Sequence, residues 1–389
     1  MSQSDYLLNA QRCHAAGIII DWLDNHGIKP VSIDYSRLSE DGLLINYLPV
    51  ITSLELDAIF ASASLNRENV MDSLDSLGRF DEERMTWDIS KPWIDLRLQV
   101  LARNLDPSFN FDTRGKFRVI VSHDVDRTTG FEPTALLNAL LKLCGIRSSP
   151  CLGLRTVLSP LALLRNVERL LDYEASHGVG AIYFMLAGPY GIDRYSSRTD
   201  INWSVARKII QLVNNSGMRV GLHGSYSARE HNSYAEEKKR IEDVLGSSVN
   251  THRNHYLRFD SEKLPSQLDN AKITYDFSVG FTNRIGFRGG YAGACRTFNF
   301  AANQSASVIS IPLLFMDSMM LGRDPMLIIP ELRRSLEAVQ RVNGCVSVLF
   351  HPESFLVDDR FFLLFKSVIQ LCQELGADLS GDLPILAAI

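Results

Sequence analysis

Two carboxylates, Asp124 and Asp126, stand two residues apart in the segment SHDVD. The residues just before them, FRVIV, are apolar and β-rich, and alternate residues of a strand face the same way. Asp124 and Asp126 at the end of such a strand therefore point into one pocket. Close carboxylates repel, so either a cation lies beside them or one stays protonated. Three further strand-like runs end in histidine. GLHGSYS carries His223, RNHYLRF carries Arg253 and His255 on one strand face, and FHPE carries His351. His252 falls on the opposite face of its strand and reads as structural. Taken singly, each histidine reads as readily as a satisfied structural residue, and each aspartate as a helix cap. Taken together, one or two Asp with two His form an oxygen–nitrogen ligand set for zinc or a similar divalent ion, with positions left for water and substrate. A further strand-end His is then available as a general acid.

The elements that must position these residues begin near Phe117. Seven apolar runs, at 117–126, 180–186, 218–226, 249–259, 273–280, 307–317 and 345–353, read as strands buried on both faces. Helices are expected between them over Leu163–His177, Trp203–Ser216, Tyr234–Leu245, Pro330–Val342 and Asp359–Leu375, with Gly217 as a helix stop. Strand–helix alternation implies right-handed βαβ units, as a (β/α) barrel or a doubly wound sheet. Both place active sites at the carboxyl ends of strands. Asp124, Asp126, His223, His255, Asp276, Asp317 and His351 all sit at such ends.

Residues 1–110 read as a smaller α+β domain, opened by a helix around Ala10–Asn25 and followed by a polar linker at 104–116. Residues 111–389 form the barrel. Segment 133–164 is apolar but broken by Pro150, Pro160 and several cations. It reads as barrel-covering helices, or as a membrane-surface or partner contact.

The chain has 389 residues, 46% hydrophobic and 22% charged, enough for a sizeable core. Its net charge of −5 leaves no electrostatic footprint for nucleic acid. The N-terminus shows no basic stretch followed by an apolar run, and no apolar run reaches about 18 residues. The six cysteines (Cys13, Cys144, Cys151, Cys295, Cys345, Cys372) include no CxxC pair and read as reduced thiols. A cytoplasmic protein is the expectation. Oligomeric state is not legible.

The order HDVD, GLHGSYS, RNHYLRF, DFSVGF…GFRGG and FHPE, over roughly residues 117–375, resembles the polysaccharide deacetylase superfamily (NodB homology, carbohydrate esterase family 4). The closest resemblance is to a divergent bacterial branch with HDVD in place of TFDDG. The resemblance implies a distorted (β/α)7 barrel after a smaller α+β domain, and one divalent metal ion, zinc by expectation. It implies Asp126, His223 and His255 as metal ligands, Asp124 as general base and His351 as general acid, with the two Asp roles open to exchange. It implies Arg253, Arg288 and Tyr226 at the substrate, a carbohydrate losing N- or O-linked acetyl groups. Tyr190, Tyr256 and Phe287 are further candidates for stacking on sugar rings. The usual H-x-x-x-H pair is incomplete, since Ser227 occupies its second position, and His255 stands in. Two other readings remain. One is a different metal-dependent hydrolase on the same barrel, a glycosidase or amidase. The other is a catalytically silent carbohydrate-binding protein, against which several costly-to-bury groups weigh.

Overall fold

The computed structural model describes residues 3–26, 28, 33–34, 43–45, 48–51, 53–63, 88–108, 117–128, 161–189, 200–202 and 204–386. Segment 133–160, Tyr190 and linker residues 109–116 lie outside them.

The N-terminal part contains α1 (Gln3–Asn25), β1 (Ile33–Asp34), β2 (Leu43–Ile45), β3 (Leu48–Ile51), α2 (Ser53–Ala63) and α3 (Trp93–Leu105). Its three strands form an antiparallel sheet in the order β1-β2-β3. The rest is mixed α/β. Strands β4 (Arg118–Val125), β5 (Ala181–Leu186), β6 (Arg219–Gly224), β7 (Thr251–Asn254) and β8 (Tyr275–Asp276) pair in parallel, in sequence order. Helices α4 (Ala162–Ser176), α5 (Ser204–Asn215), α6 (Tyr234–Leu245) and α7 (Leu264–Asn270) connect them. Then come β9 (Cys295–Asn299), β10 (Gln304–Ser310), β11 (Leu313–Met316), α8 (Ile329–Arg341), β12 (Cys345–Phe350) and α9 (Arg360–Glu374). Together they make a nine-stranded sheet, β11-β12-β4-β5-β6-β7-β8-β10-β9.

Residues 307–317, expected as one strand, are divided at Pro312, which has no N–H to give to a ladder. Before Pro312, β10 pairs with β8 (Ile309↔Tyr275); after it, β11 pairs with β12 (Leu313↔Ser347). One kinked run thus joins the two sides of the sheet and curls it. The expected (β/α)7 alternation is broken at one place. No helix joins β8 to β10. An irregular loop and the antiparallel strand β9 take its place, and β9 was not foreseen from the sequence. That loop is where the N-terminal helices dock. Ile19, Leu23, Leu98 and Leu101 share a core with Val279, Tyr291, Cys295 and Phe298. Asp21 pairs with Arg296 at 2.8 Å. The Asp95 carboxylate accepts from the backbone N–H of Ala292 at 2.7 Å, and burial pushes its pKa up to about 6. No described helix is long and apolar enough to cross a membrane.

Side-chain alternation divides the sheet's two faces. Val119, Val121, Ala181, Tyr183, Met185, Val220, Leu222, Val346 and Val348 face the helix layer. Ile120, Ile182, Phe184, Tyr275, Phe277 and Ile309 face inward. His123 faces outward. Its Nδ1 donates to the Phe350 carbonyl, and its Nε2 meets Glu174 of α4 at 2.6 Å. Tyr183 donates to the other Glu174 oxygen. This fully buried network anchors α4 behind the strand that carries Asp124. On the inward face, Gly221 leaves room for Phe184: a Cβ there would lie 2.6 Å from the Phe184 ring and 2.7 Å from Thr251 Oγ1. We therefore expect Gly221→Ala to destabilise the fold by about 1–3 kcal/mol through overpacking, measured by urea unfolding.

Candidate metal centre

The same period of two that places Ile120 inward places Ser122 and Asp124 inward at the carboxyl end of β4, with Asp126 one step past the strand. His223 is the penultimate residue of β6, Arg253 lies in β7, and His255 follows β7 directly. His351 directly follows β12. Parallel pairing brings all of these strand ends to one mouth.

Ligand atoms of Asp126, His223 and His255 lie within 4.8 Å of one another. His223 Nε2 is 3.1 Å from Asp126 Oδ1, and His255 Nε2 is 3.8 Å from Asp126 Oδ2. Two donors on one tetrahedral zinc ion stand about 3.4 Å apart, so these three fit a small divalent cation. The tautomer of His223 and the charge of His255 fit as well. His223 Nδ1 donates to the Arg253 carbonyl at 2.9 Å, which leaves its Nε2 lone pair toward the cluster. Burial, only partly opposed by Asp126, lowers the His255 pKa to about 4 and keeps that ring neutral at pH 7. Burial works to raise the Asp126 pKa, but His255, His223 and His351 outweigh it and hold the carboxyl well below the usual range. His223 is shifted the other way: Asp124 and Asp126 overcome the lowering effect of burial and raise its pKa.

Two dyads flank the cluster. Arg253 Nη1 donates to Asp124 Oδ1 at 2.8 Å, while Asp124 Oδ2 stands 3.7 Å from His223 Nε2. His351 gives its Nδ1 proton to Asp317 at 2.6 Å and its backbone N–H to the other Asp317 oxygen at 2.9 Å. Its Nε2 reaches to 3.9 Å from Asp126 Oδ2. Burial alone would lower the His351 pKa; Asp317, then Asp126 and Asp124, raise it to about 10.

The residues assigned to substrate are placed differently from one another. Arg253 is fully buried, and its remaining donors go to Ser122 Oγ and the Phe277 carbonyl. Arg288 is 5% exposed and donates to the carbonyls of Leu257 and Gly280. Both guanidiniums thus brace the site from inside. Tyr226 is half-buried, with one ring face under the Arg258 guanidinium at 3.8 Å. Phe287 is in the core, whereas Tyr256 stacks on His255 at 4.0 Å. The Ser227 hydroxyl lies 3.4 Å from Ser225 Oγ. His252 pairs with Asp276 on the outward side of β7.

Sequence reasoning gave Asp317 no role, because nothing local links it to a histidine 34 residues away. The register Met316↔Leu349 makes them neighbours. It also missed Glu353, whose Oε1 accepts from the Arg127 N–H at 2.9 Å while Oε2 is buried without a hydrogen-bond partner. Burial and the charge of Asp126 push the Glu353 pKa up to about 7. The motif HPE was the available signal. Tyr256 and Leu257 have φ of 61° and 51°, the one adjacent pair of left-handed non-glycine residues among those described. Such strain costs of order 1–3 kcal/mol per residue and clusters at functional sites.

Fold and site together define a mixed α/β protein with a candidate metal centre at the carboxyl ends of its parallel strands. No protein-family model matches the chain, and no curated protein matches it. Among solved structures it is similar to a protein from Mycobacterium smegmatis described as a polysaccharide deacetylase, at 14% identity and a TM-score of 0.42, covering 68% of this chain and 93% of that one. It is similar to a polysaccharide deacetylase from Bacillus cereus at 10% identity and 0.39, covering 69% and 92%. A family 4 carbohydrate esterase from Streptomyces lividans, solved in complex with acetate, matches at 10% and 0.34, covering 67% and 90%. Likenesses of this size leave the activity to be argued from the site itself.

We expect the purified chain to hold a single divalent ion. Asp126→Ala, His223→Ala or His255→Ala should each weaken binding by more than the roughly 10–100-fold that outer-shell changes cost. Elemental analysis after dialysis, with anomalous scattering from crystals, measures both.

Proposed function

We propose that the chain is a metal-dependent hydrolase that removes acetyl groups from a carbohydrate. The observation that carries the hydrolase reading is the convergence of Asp126, His223 and His255 within 4.8 Å, between an arginine-held carboxylate and an aspartate-held imidazole. The carbohydrate part rests on the order of motifs from HDVD to FHPE. An ion held by Asp126, His223 and His255, zinc for this donor set, would polarise the acyl carbonyl and lower the pKa of a bound water.

The protein's own groups then divide the proton work. Asp124 has one oxygen fixed by Arg253 and the other turned toward the His223 side of the cluster, so it takes the proton from the attacking water. As the water oxygen bonds to the acyl carbon, the bond to the sugar nitrogen or oxygen breaks. His351, charged through its pairing with Asp317, delivers the proton that the leaving group needs. The asymmetry of the two dyads favours this order. Arg253 fixes one oxygen of Asp124, and a buried carboxylate stabilises the protonated form of His351. The same asymmetry disfavours glycoside cleavage by two carboxylates, because one acid is tied to Arg253 and the other lies among three imidazoles.

The test is release of acetate from N-acetylated glucosamine oligomers and from O-acetylated xylan by the zinc-loaded protein. Asp124→Asn and His351→Ala should each lower kcat by about 10²–10⁴-fold with zinc content unchanged. Folded, zinc-replete protein that releases acetate from none of these sugars would overturn the reading.

A further inference from the structure

We propose that Arg258 is a positioning residue of the metal centre: it clamps the left-handed turn Tyr256–Leu257 and thereby fixes His255 relative to His223. The inference rests on the reading of Asp126, His223 and His255 as ion ligands.

Strand β7 ends at Asn254, and the chain must reverse immediately after presenting His255. It does so through two consecutive residues at positive φ, neither of them glycine. Glycine would relieve the backbone but would remove two contacts. The Tyr256 ring stacks on His255 at 4.0 Å, and Leu257 is buried with Leu313, Met316 and Leu349. The strained turn must therefore be held by its surroundings.

Arg258 ties this turn to the neighbouring loop. It is 4% exposed, and its own carbonyl accepts from Asn254 Nδ2 at 2.7 Å, which closes the loop over 254–258. Its Nη1 donates to the Tyr226 carbonyl at 2.5 Å and its Nη2 to Glu230 at 2.7 Å, while the guanidinium plane covers the Tyr226 ring. Tyr226 lies three residues beyond His223, on the loop that leaves β6. A single rigid fork thus ties the loop that follows the strand of one imidazole to the turn that carries the other, and the two rings stand 5.1 Å apart. Arg288 braces the far side by donating to the Leu257 carbonyl. Lysine lacks both the flat face and the forked donors, so it cannot replace Arg258.

The experiment is a chelator competition that measures Zn²⁺ and Co²⁺ affinity, together with the visible spectrum of the Co²⁺ form, which reports ligand geometry. The proteins are wild type, Arg258→Met, Arg258→Lys, Glu230→Gln and, as a control, Arg296→Met, which breaks the part-buried pair with Asp21. We expect Arg258→Met and Arg258→Lys to lose about 10–100-fold in affinity and to shift the Co²⁺ spectrum, with Glu230→Gln losing less. Arg296→Met should lower the Tm and leave affinity and spectrum unchanged. Folded Arg258→Met with wild-type affinity and spectrum would sink this inference alone. Should Arg258→Met not fold, wild-type affinity and spectrum in both Arg258→Lys and Glu230→Gln would have the same force. A wild-type chain that binds neither ion would sink the metal centre and this inference with it.

Discussion

A single buried guanidinium holds the site together. Arg253 is fully buried, sandwiched against the rings of Phe184 and Phe277. It donates to Asp124, Ser122 and the Phe277 carbonyl, while its own carbonyl receives the Nδ1 proton of His223. One residue thus anchors the proposed base and orients the first imidazole. Burying such a cation costs several kcal/mol unless it is paired and hydrogen-bonded, and here three acceptors, the Asp124 carboxylate among them, share the task. The layer of aromatic rings beneath it keeps water from competing for the guanidinium.

The rest of the molecule supports that arrangement from two directions. Behind β4, the His123–Glu174–Tyr183 network pairs three buried polar side chains with one another, so strand and helix cannot slide past one another cheaply. On the mouth side, the kink at Pro312 lets one run of chain complete the sheet and then deliver Asp317 beside His351. The interrupted alternation between β8 and β10 belongs to the same logic. Where a covering helix is absent, α1 and α3 cover the loop instead: Asp95 accepts from the backbone N–H of Ala292, and Asp21 pairs with the Arg296 side chain.

Charge is arranged as a gradient across the mouth. Asp124 lies against a permanent cation, and His351 lies against a buried carboxylate. Near them, Asp126 lies 3.1 Å from His223 Nε2 and 3.8 Å from His255 Nε2. Asp124 and His351 thus both stand beside one ligand cluster, as the proposed acyl hydrolysis requires.

Much of this was legible in the chain before folding. A period of two is a local property, so SHDVD alone shows that Asp124 and Asp126 share a face and that His123 does not; RNH likewise separates Arg253 and His255 from His252. Apolar runs and their breakers located the seven strand regions and the helices between them. What the sequence could not contain was the pairing of distant segments. That Asp317 meets His351, that the Arg253 carbonyl receives His223, and that Arg288 turns to the backbone rather than to solvent all depend on which strand lies beside which, and at what register. Those choices are made by the packing of side chains from remote parts of the chain against a shared core, a global minimum that no local spacing encodes.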